Sequence, residues 1–242
     1  MKRQFINLKP GDADRSIYRI VSCERFLQML RDRENALVKP RLWGDPFENF
    51  ILNGIAVTPD GTRVKLGFRD QLYGQCWSLH RETDLMWRGY SPQKDAVKLR
   101  TTIRALYYSL CEGAGRYRDV SCFIGRVRYF TKTRIADVLS RVNVVDPSGV
   151  AIASTLLVKR WAFRSEREIR LIHLNHRRSF SKKVFRYEID PNALFEEAVL
   201  DPRMKDTAAE QWKRRFRAAG FSRRIIQSGL YRPPDRIVIK LP

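Results

Sequence analysis

Short apolar runs of period two dominate this chain, and they constrain its fold more than any other feature. Residues 16–21 (SIYRIV), 63–68, 73–79, 121–130 (SCFIGRVRYF), 154–161 and 166–174 all read as strands. So does the alternation of Phe185, Tyr187 and Ile189, and residues 223–228 and 236–241 close the chain as two more. Three helical patterns interrupt the series. Ser22 caps a helix with Glu24 in its first turn and Phe26, Leu27 and Leu30 on its inner face. Residues 94–112 read as the longest helix, with Leu99, Ile103, Leu106 and Leu110 on one side and Gly113 beyond its end. Residues 206–219 carry a stripe of Ala208, Trp212, Phe216 and Ala219. Many strands irregularly mixed with few helices predict an α+β architecture rather than a doubly wound sheet.

The 242 residues are 43% hydrophobic, enough for a real core, and no linker, repeat or low-complexity stretch divides them, so 1–242 reads as a single domain. The apolar run 150–158 is too short to span a membrane and reads as a buried strand. The start MKRQFINLKPGDAD has no apolar stretch behind its charges, so no secretory leader is expected. Cys23, Cys76, Cys111 and Cys122 form no CxxC pair and read as free thiols in a reducing, cytoplasmic compartment. With three histidines, and no Cys or acidic ligand beside His173 and His176, no metal is expected.

Charge is the strongest global signal. Lys and Arg total 47 against 26 Asp and Glu, a net +21 dominated by arginine. Such a field draws polyanions, and arginine's fork matches phosphate. DNA or RNA is the expected partner; the oligomeric state is not legible. The basic side of the last helix, Lys213, Arg214 and Arg217, is either a solvated face or a phosphate-contacting ridge.

Phosphate-cradling loops and the GxSxG elbow are absent. Four clusters carry chemistry instead. Tyr18 and Arg19 lie on the opening strand. GDPFEN (44–49) forms a turn at Asp45 and Pro46. CWSLHRETDLMWRGYS (76–91) gathers Trp77, Trp87 and Tyr90 near Ser78, His80 and Arg88, as a core edge or as a pocket for a flat ring. WAFRSEREIRL (161–171) sets Glu166 and Glu168 among Arg164, Arg167 and Arg170. On a strand, Glu166, Glu168 and Arg170 share one face, and Arg167, Ile169 and Leu171 the other. The two glutamates are then either ion-pair partners or working carboxylates.

The order GDPFE, WS, LMWRGY, SEREIR resembles a bacterial domain-of-unknown-function family marked by D-P-F-E, L-M-W-x-x-Y and E-x-E-x-R, over about 18–239. It departs from that pattern at Gly44, where Asn is expected, and at Pro92, Gln93 and Lys94, where a His-x-Gly run is usual. A second likeness carries an activity. Arg19 on the first strand, Ser78 on a middle strand and Glu166-Arg167-Glu168 late are similar to the R-S-E arrangement of ADP-ribosyltransferases, with WAFRS where those enzymes carry a substrate-recognition loop.

That second resemblance implies split β-sheets flanked by helices and NAD as substrate. Cleaving the nicotinamide–ribose bond develops positive charge on the ribose, as in glycoside cleavage, and a carboxylate stabilises it. Glu168 takes that role, and Glu166 orients or deprotonates the acceptor. Arg19, beside Tyr18, grips phosphate or ribose. Ser78 positions Glu168 or the ribose, and Trp77, Trp87 or Tyr90 stacks on nicotinamide. Arg164 and Arg167 join Lys213, Arg214 and Arg217 as nucleic-acid contacts. A toxin or defence role follows from the resemblance alone. Two other readings stay open: a non-catalytic nucleic-acid-binding module, and a metal-dependent nuclease built from Asp45, Glu48, Glu166 and Glu168.

Overall fold

The structure, a computed structural model, describes residues 3–45, 54–57, 60–65, 67–143, 145–176 and 182–234. Pro46 to Asn49 of the GDPFEN turn, Glu48 among them, and the expected strand 236–241 lie outside these residues.

In chain order the elements are β1 (Phe5–Ile6), β2 (Ser16–Ser22), α1 (Cys23–Asp32), β3 (Glu34–Val38), β4 (Ile55–Val57), β5 (Arg63–Lys65), β6 (Leu72–Ser78) and α2 (Asp84–Tyr90). Then come β7 (Ala96–Thr102), α3 (Ile103–Ala114), α4 (Arg118–Ser121), β8 (Cys122–Arg126), β9 (Arg128–Phe130), α5 (Lys132–Ser140), α6 (Val150–Ser154) and β10 (Val158–Arg160). The last are β11 (Glu168–Leu174), β12 (Val184–Glu188), α7 (Pro191–Leu194), β13 (Glu197–Leu200), α8 (Asp206–Ala218) and β14 (Arg224–Gln227).

The main sheet runs β1-β8-β11-β6-β2-β7-β13-β14, with β3 and β12 branching from β6. This is the α+β, split-sheet architecture expected from the sequence. The split has a definite cause. One edge of β6 pairs with β11 along its whole length, from Leu72 to Ser78. The other edge is shared: β2 meets it only at Tyr18–Ser78, and β3 only at Val38–Gly74. Between those two bridges, Gln75, Cys76 and Trp77 have no ladder partner on that side among the described residues. The notch so formed opens at the centre of the sheet.

Two cores cover the faces. Ile17, Trp77, Leu99, Ile169 and Leu171 pack with Phe26 of α1, Leu106 and Leu110 of α3, and Phe216 of α8. Leu72, Phe123, Ile172 and Leu174 pack with Ala153, Leu156 and Leu157. Each fully buried Leu or Phe contributes about 1.5–3 kcal/mol, so the sheet is held rigidly from both sides. The Ser22 hydroxyl caps α1 by accepting from the Arg25 N–H, as expected. On α8, Ala209 and Phe216 are buried, and Ala208, Trp212 and Ala219 pack as a half-buried margin.

Four expectations are corrected. Residues 94–112 are not one helix: Val97, Leu99 and Thr101 alternate into the core as β7, and Thr102 then caps α3 by accepting from the Ala105 N–H. Leu99 and Ile103 satisfy either period, and the β-branched run 101–103 decides for a strand and a break. Residues 150–158 are not a buried strand, because α6 and a 3-10 turn at Thr155–Leu157 fill that stretch and only Val158–Arg160 is extended. Residues 121–130 divide at Val127, with β9 leaving the main sheet to pair with β10. Glu166 ends a 3-10 helix, Trp161–Glu166, rather than lying on β11, so the strand-face argument holds for Glu168 and Arg170 only.

Candidate active site

The notch holds a cavity of about 250 Å³. Tyr18, Arg19, Trp77, Ser78 and Tyr90 line it, together with Glu166 and Glu168. Residues far apart in sequence are thus brought to one place by the β2–β6–β11 order. Trp87 is the exception among those expected to meet a ligand. It is fully buried, its Nε1 donates to Glu82 Oε1 at 2.7 Å, and Lys98 Nζ lies 5.8 Å from its ring centre. Within LMWRGY the amphipathic turn of α2 sends Trp87 inward and leaves Leu85 and Tyr90 outside. Arg203 fixes that helix by donating to the carbonyls of Trp87 and Ser91, at 2.8 and 2.7 Å, while paired to buried Asp201.

Glu168 opens β11 and is 5% exposed. All its side-chain bonds fall on one oxygen. Oε2 accepts from Arg170 Nη2 at 2.6 Å and Nε at 3.1 Å, and Lys159 Nζ is 3.5 Å away. Oε1 accepts no hydrogen bond from the described residues. Arg170 is itself completely buried, donates to the Leu156 carbonyl at 2.6 Å and lies 4.5 Å from the ring centre of Trp43, another cavity residue. The Glu168 N–H donates to the Tyr129 hydroxyl at 2.9 Å, and burial, ahead of the opposing hydrogen bond, pushes that phenol up to about 12. The result is a carboxylate clamped at one oxygen, with the other left for the cavity.

Glu166 is placed by its backbone. Arg167 takes a left-handed conformation, φ 44°, and turns the chain from the 3-10 helix into β11. Ser78 Oγ donates to the Glu166 carbonyl at 2.8 Å and accepts from the His80 N–H at 3.0 Å. Ser78 therefore positions the loop that bears Glu166, and sits opposite Glu168 in the ladder. The Glu166 side chain receives Lys159 Nζ at 2.5 Å.

Arg19 is half-buried at the cavity, and no hydrogen bond or carboxylate partner exists for it among the described residues. Burial pushes its guanidinium down from its ordinary value. Trp77 Nε1 donates to Gln75 Oε1, and Gln75 Nε2 to Asn35 Oδ1, both at 2.7 Å, so the indole edge is locked.

Sequence reasoning missed Trp43, Gln75, Lys159, Arg170 as an anchor, and Tyr129. Trp43 has a signal in hindsight: Gly74 lies under its ring, where a Cβ would fall 2.5 Å from Cζ2. Lys159 stands seven residues before Glu166, a spacing that signals nothing until β10 and β11 are placed.

Arg164 and Arg167 are exposed and flank the cavity residue Glu166 in the chain, with Arg164 5.1 Å from the ring centre of exposed Trp161. On α8, Lys213 pairs with Glu210 and Arg217 donates to the Phe221 carbonyl, while Arg214 is exposed. That helix packs on α1 and β14, at the far end of the sheet from β11. Asp45 is paired with Arg160 at 3.0 Å. With Glu166 and Glu168 also held by cations, the three described carboxylates of the nuclease reading carry little uncompensated charge for Mg²⁺. No helix among the described residues is long and apolar enough to cross a membrane. None of the four cysteines is in a disulfide, and burial pushes the Cys23 thiol up, which removes its nucleophile.

No family model and no curated protein matches the chain. Among solved structures it is similar to DarT of Thermus sp. 2.9 in complex with ADP-ribosylated ssDNA, at 14% identity, covering 94% of this chain and 98% of that one, with a TM-score of 0.42. It is similar also to the same protein in complex with NAD+, at 14% identity, 91% and 98% coverage and a TM-score of 0.40. A third similar structure is that protein with carba-NAD+, at 12% identity and a TM-score of 0.39.

Proposed function

We propose that this chain is an NAD-dependent ADP-ribosyltransferase whose acceptor is a nucleic acid or a protein bound to one. The observation that carries the reading is Glu168: buried, clamped through Oε2, and presenting Oε1 to a cavity that also holds an arginine with no carboxylate partner among the described residues. NAD supplies what that pair lacks. Its pyrophosphate is an anion for Arg19, and its ribose is the site where positive charge develops.

In the proposed reaction the bond from ribose C1′ to the nicotinamide nitrogen breaks, and its electron pair leaves with nicotinamide. Oε1 of Glu168 accepts a ribose hydroxyl and stabilises the growing charge from a buried position, where screening is weak. The acceptor nucleophile closes the new bond at C1′, and its proton passes to Glu166 or to solvent. Trp77 and Tyr90 offer ring faces and edges for the flat base. Exposed Trp161, Arg164 and Arg167, on the segment that carries Glu166, would offer a ring and two cations to an acceptor's bases and phosphates. Unchecked modification of nucleic acid harms the cell that makes the enzyme, which is the ground for a toxin or defence role.

A label-transfer experiment tests the acceptor. NAD radiolabelled in its adenylate half is incubated with the protein and single-stranded DNA, duplex DNA, RNA or a basic protein. Label is expected on a nucleic acid. Label on the basic protein alone would overturn the nucleic-acid assignment, and free ADP-ribose alone would make the chain a hydrolase.

A further inference from the structure

We infer that Gln75 is a positioning residue that shapes the cavity for its ligand, which is NAD on the proposed transferase reading that this inference rests on. Its side chain takes the place of the ladder missing between β6 and β3. The two strands touch at Val38–Gly74 and then part. One residue further along β6, Gln75 Nε2 donates to the Ala36 carbonyl of β3 at 2.9 Å and to Asn35 Oδ1 at 2.7 Å. A side-chain amide thus spans the gap with donors that the β6 backbone would give in a closed sheet. Gln75 is 2% exposed and Asn35 1%, so their polar groups need internal partners.

The hydrogen bonds run on in one direction. Trp77 Nε1 donates to Gln75 Oε1 at 2.7 Å, and Asn35 Nδ2 donates to the Tyr187 hydroxyl at 2.8 Å. That hydroxyl is 3.3 Å from Ser109 Oγ, whose own proton goes to the Leu106 carbonyl at 2.9 Å, so the tyrosine donates to the serine. β12 sets Tyr187 opposite Asn35 in the ladder. Gly113 lets α3 come close, since a Cβ there would fall 2.6 Å from the Cβ of Tyr187. The direction fixes both amides. Asn35 Oδ1 also accepts from the Ala36 N–H at 2.8 Å, and a reversed Gln75 would put its oxygen against two other acceptors.

The consequence lies on the cavity wall. Gln75 and Trp77 share one face of β6, and both line the cavity. Phe195 stacks on the indole with 6.5 Å between ring centres, and Gln75 holds its N–H edge. Both donors of Gln75 and its oxygen are engaged within the protein, so it gives a ligand a wall and not a hydrogen bond. It acts through Trp77 and through the spacing of β3 from β6. Its loss therefore weakens NAD binding more than it slows the chemical step.

The test compares the wild-type protein with Gln75→Met, which keeps the length and removes the amide, and with Tyr187→Phe, which removes one hydroxyl outside the cavity lining. Nitrogen-15 NMR follows the Trp77 indole N–H, assigned by its loss in Trp77→Phe. Calorimetry gives the affinity for NAD, and steady-state kinetics give kcat and KM. In Gln75→Met the indole N–H is expected to move upfield and to exchange faster with solvent. NAD is expected to bind about tenfold or more weakly, the weight of one buried hydrogen bond, with kcat falling less than KM rises. Tyr187→Phe is expected to move the indole the same way by less, and the same readings on it decide if the Met variant does not fold. An indole signal unmoved in the deciding variant, or one that moves while NAD affinity stays level, would overturn the inference. A wild-type protein that neither binds nor cleaves NAD, with the indole still moving in the variants, would leave the side-chain link standing and defeat the transferase reading.

Discussion

At the scale of single residues, the site joins an anchored carboxylate to an unanchored arginine. Glu168 holds its orientation because Arg170 and Lys159 meet the same oxygen, and buried charges persist only when so paired. Arg19 has no such partner among the described residues, and burial pushes its guanidinium down, so keeping it charged costs stability. Replacing it should therefore separate binding from folding. Arg19→Met is expected to raise the KM for NAD about tenfold or more, from the ~1.5–3 kcal/mol of a charge-assisted hydrogen bond, while the melting temperature stays level or rises. Steady-state kinetics and a thermal melt check this, and a variant that melts earlier with KM unchanged would make Arg19 a structural residue. The R-S-E resemblance named Arg19, Ser78 and Glu168 together, and the fold brings all three to one cavity. Trp87 was misjudged: type and proximity pointed to a ligand, but only the helix phase of α2 tells which aromatic faces in.

At the scale of elements, the notch exists because β2 and β3 each touch β6 at a single bridge. Gly74 stands at one of those bridges, beneath Trp43. Gly74→Ala puts a Cβ 2.5 Å from the indole, which must swing off the cavity wall and off Arg170. Overpacking of this kind costs about 1–3 kcal/mol. The variant is expected to lose that much in urea unfolding and to bind NAD more weakly by calorimetry. Unchanged affinity would show that Trp43 forms no part of the ligand's wall. Most strands were legible from alternation, as were the cap of α1 and the span of α8. Residues 94–112 and 150–158 were not, since apolar spacing there suits both periods and only sheet neighbours arbitrate. The β2–β3 divergence has no local signal at all; it arises from two bridges to β6 between distant segments, Tyr18 with Ser78 and Val38 with Gly74.

At the scale of the whole molecule, a net charge of +21 surrounds a site whose own charges are almost all matched. Part of the excess is exposed, with Arg164 and Arg167 flanking Glu166 in the chain and Arg214 at the far end of the sheet. Such a field speeds the encounter with polyanions without choosing among them, and leaves selection to the groups near the carboxylates. In the proposed reaction this chain breaks the nicotinamide–ribose bond through Glu168. The direct measurement is nicotinamide release from NAD by the purified protein, with and without DNA and RNA, beside Glu168→Gln and with circular dichroism to verify the variant's fold. The proposed reaction predicts release by the wild-type chain and a fall of about 10²–10³-fold in a folded variant. Equal release by the two proteins, or none by the wild-type chain under any condition, would contradict it and leave both glutamates as ion-pair partners of a binding module.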